Sequence, residues 1–372
     1  MTVVALACRP VRLPLASPFV TAQRSASHVE AVLVRALDHD GVAGWGEAVT
    51  TWRVTGESAA SVAAAVEGPL RAAVVGLDPS DVGAWAPRLE RAVVGNAAAR
   101  CAVESALIDL AARRAGQPFA EHLLGEPGNG RLRPARTVRT DMTLSAVRSS
   151  NELDDLLSRA ARWAATFGTL KLKVVDAAVT RDVLVELRRA VGPEFCLRVD
   201  ANQAWDAPTA LAVLEHWQCE GADVELVEQP VAAADVPAMA TVRAAGVAAV
   251  VADESVRTVA DVEALARADA ADAVNVKLAK SGGPVQALRV AERARALGLE
   301  VFVGCMMEST VGLAAAAAVA AIVDARDGAR VHDLDAGTWL AAPDERQVRY
   351  DGDTLVRHAG PGIGIPPEWA DL

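Results

Sequence analysis

FCLRVDANQAWDAPTALAVLEHWQCEGADVELVEQP, residues 195–230, contains one complete strand–helix–strand unit. Phe195–Val199 and Val224–Val227 are short apolar runs of the kind that parallel strands use when both faces are covered. Between them, Pro208–Cys219 carries apolar residues at helical spacing and opens with proline, which suits a first helical position. The same alternation continues on both sides. Leu170–Val175, Ala248–Ala252, Ala273–Leu278, Leu299–Val303 and Arg330–Leu334 read as further strands, with helices such as Val179–Ala190 and Pro284–Leu297 between them. One repeat takes about 25 to 30 residues, the size of a β-α unit. With an extra strand near Thr137–Thr143, the pattern predicts a parallel (β/α) barrel. An open doubly wound sheet is the alternative, but no G-x-G-x-x-G follows a first strand, so a dinucleotide site has no support.

Residues 1–125 are ordered differently, strands first and helices after. Residues 2–8, 30–37 and Val42–Glu47 read as strands, the last punctuated by Gly41, Gly44 and Gly46. Ser58–Val75, Val82–Val93 and Ala97–Ala115 read as helices, an α+β arrangement. Gly125–Pro134 reads as a connector. The expected division is a capping domain at 1–125, the barrel at 126–340, and a C-terminal segment at 341–372 that packs back on the cap.

The chain has 372 residues, 52% apolar and 23% charged, enough for a core and a solvated surface. No apolar run reaches the ~18 residues a bilayer span needs, and Arg9, Arg12 and Arg24 interrupt any signal peptide. The net charge of −11, with no basic stripe, argues against a nucleic-acid partner. Five scattered cysteines without a C-x-x-C pair indicate no disulfide framework or zinc ribbon, so a cytoplasmic location is expected. Of 37 basic residues only Lys171, Lys173, Lys277 and Lys280 are lysines. Lysine can be tuned to exchange a proton where arginine cannot, so these four are candidates for chemistry.

A barrel's site lies at the carboxyl ends of its strands. Those ends deliver Lys171 and Lys173, then Asp200 and Asn202, Glu228, Asp253 and Glu254, Lys277, Glu308, and finally Asp333 and Asp335. Asp200, Glu228 and Asp253 come from successive strands. Oxygen ligands alone on rigid strands suit a hard divalent ion, Mg²⁺ first; three separate salt bridges to arginines are the alternative. Lys171 and Lys173 share a strand face, where two ammonium groups lower each other's pKa and prepare a base. Lys277 lies across the barrel from them, and Lys280 reads as a solvated loop residue.

TLKLKVV, LRVDANQAW, LVEQPV, VADES, VNVKLAKSGG and VGCMMEST resemble, in order and spacing, the enolase superfamily, in its muconate-lactonizing subgroup. His332-Asp333-Leu334-Asp335 looks like the D-x-D motif of dipeptide epimerases, and PFVTAQRSASHVE and VTGES look like the alanine–glutamate epimerases. The resemblance implies an α/β fold, a modified (β/α)7β TIM-like barrel with an α+β capping domain. It implies Mg²⁺, with Mn²⁺ as a substitute, on Asp200, Glu228 and Asp253. Lys173 and Lys277 would be the acid/base pair, Lys171 an electrostatic helper for an enolate, and Asn202 and Glu254 supporting residues. Asp333 and Asp335 would bind a substrate ammonium, with Glu308 also at the substrate and Arg24 facing the side chain of the epimerised residue. A dipeptide spans about 7 Å, so its two ends can reach metal and acidic pair together. The expectation is a dipeptide epimerase with a small-molecule dipeptide substrate as its partner, no nucleic acid or membrane partner and a homo-oligomeric state. N-acylamino-acid racemase, o-succinylbenzoate synthase or muconate cycloisomerase activity is the alternative, and a non-catalytic binding protein is a third. The substrates of the alternative reactions carry no free amine, against which the acidic pair discriminates. Thr51, Trp52 and Arg53, and Gly337, Thr338 and Trp339, depart from the alanine–glutamate pattern where the substrate side chains are expected.

Overall fold

The computed structural model describes residues 2–22, 24–125 and 132–364. Most of the expected connector at 125–134 and the end of the C-terminal tail lie outside them. Strands β1 (Val3–Val20), β2 (Ser25–Asp38) and β3 (Ala43–Val49) form an antiparallel sheet in that order. β1 runs well past the apolar stretch at 2–8. Its second half is largely exposed and is held by pairing to β2, so hydrophobicity alone does not announce it. The tip of this hairpin carries Arg24, whose N–H donates to Thr21 Oγ1 at 3.2 Å and whose carbonyl accepts from Thr21 N at 2.9 Å.

Helices α1 (Ala59–Ala65), α2 (Arg71–Val74), α3 (Val82–Ala92), α4 (Ala97–Ala115) and α5 (Phe119–Leu124) cover the sheet. The single helix expected at Ser58–Val75 is instead α1 and α2 joined by a π turn at Val66–Leu70. Pro69 lacks the N–H that a continuous helix would need there. α4 lies directly on β3. A Cβ on Gly46 would stand 2.0 Å from the Ala102 carbonyl oxygen, and one on Gly44 2.2 Å from that of Ala106. The two glycines share a strand face and let a helix backbone touch the sheet.

β4 (Thr137–Thr140) and β5 (Met142–Leu144) divide the strand expected near Thr137–Thr143. β5 is buried throughout and starts the barrel, whereas β4 alternates exposed and buried residues and belongs to a smaller sheet. There follow α6 (Leu153–Ala164), β6 (Thr169–Lys173), α7 (Ala177–Val191), β7 (Cys196–Asp200), α8 (Ala207–Cys219) and β8 (Val224–Glu228). Then come α9 (Val236–Ala244), β9 (Ala249–Ala252), α10 (Val259–Arg267), β10 (Ala273–Lys277), α11 (Leu278–Ser281), α12 (Pro284–Ala296), β11 (Glu300–Gly304) and α13 (Thr310–Asp327). β5 to β11 form one seven-stranded parallel sheet in sequence order. The strand expected at Arg330–Leu334 shrinks to β12 (Val331–His332), which pairs with β4, while an isolated bridge links Asp333 to Gly304 of β11. This is the modified (β/α)7β barrel with its capping domain.

After α14 (Ala336–Trp339), β13 (Val348–Asp351) and β14 (Thr354–Arg357) form a hairpin whose second strand pairs with β4. Beyond it the chain reaches the cap, where Ile363 N donates to Asp109 Oδ1 at 2.8 Å. Two cap carboxylates meet barrel helix N-termini, where unpaired N–H groups attract negative charge. Glu47 accepts from Ser309 N at 2.9 Å and Gly312 N at 3.0 Å at the start of α13. Glu104 accepts from Val285 N at 2.6 Å at the start of α12. Among the described residues no helix is long and apolar enough to cross a membrane. α13, which holds the alanine-rich stretch, is buried along most of its length.

The contact between α4 and β3 makes Gly46 intolerant of a side chain. Gly46→Ala should cost about 3 kcal/mol of stability through forced separation of helix and sheet. Urea denaturation measures it, and a loss below about 1 kcal/mol would show that the layers relax easily.

Candidate active site

The register of the parallel sheet assembles the site. Lys173 pairs with Asp200, and Asp200 with Glu228, so three side chains stand at one level on adjacent strand ends. Asp253 follows β9, and Lys277 ends β10. One oxygen from each of Asp200, Glu228 and Asp253 lies within 4.8 Å of the others, and all three residues are buried. Lysines stand on this group from both sides. Lys173 Nζ donates to Asp200 Oδ2, Lys277 Nζ to Asp253 Oδ2 at 2.8 Å, and Lys171 Nζ lies 3.5 Å from Glu228 Oε2. Burial, reinforced by Asp200, pushes the Glu228 carboxyl up to about 7. Burial alone would raise Asp253 as well, but Lys277 and Lys280 hold it well below the usual carboxylate range. An oxygen-only, buried and crowded donor set of this kind fits a hard divalent cation.

Lys171 does not have the depressed pKa expected from its proximity to a second lysine. Burial would lower Lys171 and Lys277, but the carboxylates around them, Asp333 first for Lys171 and Asp253 first for Lys277, raise both well above the usual value.

Lys173, Lys277, Asp253, Asp333, Asp335, Asn202, Glu254 and Arg24 line one cleft between the barrel mouth and the cap loops. Asn202 Nδ2 donates to Glu254 Oε1 at 3.3 Å, and Asn202 N to Asp200 Oδ1 at 2.9 Å. Asp333 is engaged by Lys171 at 2.5 Å and by Asn275 Nδ2 at 3.2 Å. Asp335 Oδ2 accepts from Thr143 N at 2.7 Å and from Trp339 Nε1 at 3.1 Å. Trp339 therefore acts through Asp335, its ring stacked edge-on against Phe19 with centroids 4.9 Å apart. Thr51 and Arg53 line the cleft, whereas Trp52 is 72% exposed. Glu308 is not among the cleft-lining residues. It is buried, and desolvation with the Glu47 charge raises its carboxyl far above the usual range.

Four residues escaped the sequence reading. Lys280 is not a solvated loop residue but is buried, because α11 turns it back under β10 onto Asp253. Asp141, between β4 and β5, places an oxygen within 4.8 Å of Asp333 and Asp335. Burial, opposed by Lys171 and reinforced by Asp333, raises it to about 8. Gln229, in the left-handed region at φ 39°, receives Asp253 N and Ser255 N on Oε1, each at 3.0 Å. It ties the Asp253 turn to the end of β8. Glu47 holds the β11–α13 turn as described above. Gln229 carried a sequence signal in its place in the E-Q-P block, and Lys280 in being one of only four lysines. His332 is a core residue: its Nδ1 accepts from Val303 N at 3.1 Å, and its Nε2 meets Asp324 Oδ1 at 3.1 Å.

Residues 3–125 match the family described as mandelate racemase / muconate lactonizing enzyme, N-terminal domain, and residues 155–371 match enolase C-terminal domain-like. The chain belongs to the enolase superfamily. It is 36% identical over 358 residues, 95% of each chain, to an L-Ala-D/L-Glu epimerase of Clostridium acetobutylicum. A substrate-liganded L-Ala-D/L-Glu epimerase of Bacillus subtilis superposes with TM-score 0.90 at 33% identity, over 98% of this chain and 99% of that one. A dipeptide epimerase of Enterococcus faecalis, solved with Mg and the dipeptide L-Leu-L-Tyr, superposes with TM-score 0.89 at 27% identity, over 99% of this chain and 100% of that one. This member of the superfamily is an isomerase.

The strut at Gln229 is testable without substrate. Gln229→Met keeps the length but orphans one buried and one half-buried N–H group, at a cost of about 3 kcal/mol. Chemical denaturation measures it; a loss under about 1 kcal/mol would mean that water replaces the amide.

Proposed function

We propose that the protein is a Mg²⁺-dependent dipeptide epimerase that inverts the α-carbon of the C-terminal residue. One observation carries the reading. In the sheet, β7, β8 and β9 bring Asp200, Glu228 and Asp253 between β6, which ends in Lys173, and β10, which ends in Lys277. An ammonium thus flanks the carboxylate group on each side. Asp200, Glu228 and Asp253 would hold the ion, which supplies positive charge to the substrate carboxylate and so acidifies the α-proton. Lys173, as the neutral amine, takes the proton from one face and becomes an ammonium while Lys277, as an ammonium, returns one to the other face and becomes an amine, the reverse substrate exchanging their roles. Lysine bases beside Mg²⁺ are the known pattern of enolase-superfamily sites. Lys171, fixed between Glu228 and Asp333, adds positive charge where the enolate forms.

The far end of the cleft suits a free amine. Asp333 is already neutralised by Lys171, but Asp335 receives its donors on Oδ2 alone among the described residues. Its second oxygen is left for a substrate ammonium, the group that N-acyl and muconate substrates lack. Glu308 is absent from the cleft lining, and its carboxyl feels the Lys277 charge.

Incubating the enzyme with Mg²⁺ and dipeptides in D₂O should add one deuterium at the α-carbon, detected by mass spectrometry, and EDTA should abolish it. Lys173→Ala and Lys277→Ala should each slow epimerisation about 10³-fold, the usual contribution of a general base. Each variant should retain exchange of one enantiomer only. Normal epimerisation by either variant refutes the two-base assignment.

Arg24 and Arg53 both line the cap side of the cleft, and Arg257 holds the loop beside Arg53 by donating to Val54 O at 2.7 Å. A guanidinium binds a carboxylate through paired hydrogen bonds. The expected substrate therefore has an acidic second residue, as in L-Ala-L-Glu. Arg24→Met should lower the ratio of kcat/KM for Ala-Glu over Ala-Leu by about tenfold or more. A parent enzyme that prefers Ala-Leu, or an unchanged ratio, excludes this role.

A further inference from the structure

Lys280 makes contacts that the proposed reaction does not use. Its side chain is buried, and its ammonium donates to Asp253 Oδ1, to the Asp253 carbonyl oxygen and to Asn275 O, the last at 3.1 Å. An ammonium has three N–H groups, and all three are engaged inside the protein. The other oxygen of the same carboxylate, Asp253 Oδ2, faces Lys277 at 2.8 Å. The two oxygens are therefore not equivalent. Oδ1 is occupied by a cation with no spare donor, whereas Oδ2 meets Lys277, a cleft-lining lysine. The main chain of Asp253 is fixed as well, its N–H on Gln229 Oε1 at 3.0 Å and its carbonyl accepting from Val256 N at 3.1 Å.

We propose that Lys280 restricts Asp253 to one-oxygen ligation and so makes the site select Mg²⁺ over Ca²⁺. The proposal rests on the reading of Asp200, Glu228 and Asp253 as the metal site. Mg²⁺ is content with one oxygen from each of a few carboxylates and fills the rest of an octahedron with water or substrate. Ca²⁺ takes six to eight oxygens and commonly uses both oxygens of a carboxylate. Blocking Oδ1 removes one of the ligands that Ca²⁺ would recruit and costs Mg²⁺ nothing. The competing explanation is that Lys280 only neutralises a buried acid. The two differ in a ratio. Removing a positive charge strengthens the attraction for both divalent ions by about the same Coulombic amount, so that effect cancels when their affinities are compared. Ligand number does not cancel.

The test is calorimetric titration of the metal-free full chain with Mg²⁺ and with Ca²⁺, without substrate. The parent should prefer Mg²⁺. In Lys280→Met, which keeps the length and removes the donors, the preference should fall by about tenfold. A preference within twofold of the parent's overturns the proposal, whatever happens to the separate affinities. Should circular dichroism show that Lys280→Met is unfolded, Lys280→Gln serves. Its amide has fewer donors, and the same fall to a smaller extent is expected, an unchanged ratio again overturning the idea. A parent that binds both ions equally overturns the role of Lys280 alone. A parent that binds neither overturns the metal assignment and this proposal with it.

Discussion

Three carboxylates, from Asp200, Glu228 and Asp253, are held out of water with oxygens within 4.8 Å of one another. Unpaired, each buried charge would cost several kcal/mol, and their mutual repulsion would add to it. The barrel tolerates the group because positive charge surrounds it. All four lysines of the chain lie against it: Lys173 on Asp200, Lys171 beside Glu228, and Lys277 and Lys280 on Asp253. The arginines that dominate the basic residues elsewhere would not serve there. A guanidinium is a broad planar fork, whereas the space between neighbouring strand ends suits a compact point charge. The compensation is incomplete, and Glu228, with its carboxyl raised to about 7, carries the remainder.

The same use of buried acids seats the cap on the barrel. Glu47 from β3 and Glu104 from α4 accept N–H groups at the starts of α13 and α12. These are helix ends that would otherwise leave donors unsatisfied beneath the interface. Gly283 just before α12 completes the fit, since a Cβ there would stand 2.4 Å from the Glu104 carboxyl. Through the β11–α13 turn, Glu47 fixes the segment that carries Glu308. The cap is thereby registered to the catalytic rim, and its two loops, at Arg24 and Arg53, hang over the cleft in a set position.

What the sequence made legible were residues whose position follows from periodicity. Lys171 and Lys173 lie two apart in a buried run, and Asp200 and Glu228 end such runs, so both face and end of the strand could be inferred. The barrel followed from the same alternation. Lys280 was misread because its position depends on a four-residue helix, α11, too short to show a pattern. Asp141 was missed because the strand expected at Thr137–Thr143 breaks at that residue, and only the change from alternate to continuous burial marks the break. Glu47 and Glu104 lie far in sequence from the turns they hold, and nothing local couples them. The depressed pKa expected for Lys171 failed for another reason: a neighbouring lysine repels, but the carboxylates around Lys171, Asp333 first, outweigh it.

The division of labour follows from how each part is held. The metal-type carboxylates and the flanking lysines sit on strand ends whose register is fixed by the seven-stranded sheet. Displacing one of them by a residue would turn its whole strand face away from the core. The groups at the cap side of the cleft sit on a hairpin tip and a loop, anchored by a few hydrogen bonds such as Thr21 to Arg24 and Arg257 to Val54. Substitution there changes charge and shape without disturbing the carboxylate group. The proposed proton transfer would thus be tied to the part of the molecule least able to vary, and side-chain choice to the part most able. An L-Ala-D/L-Glu epimerase and a dipeptide epimerase solved with L-Leu-L-Tyr can then share one barrel. In this chain the cap loops bring Arg24 and Arg53 to that variable end, the two residues on which the proposed preference for an acidic side chain rests.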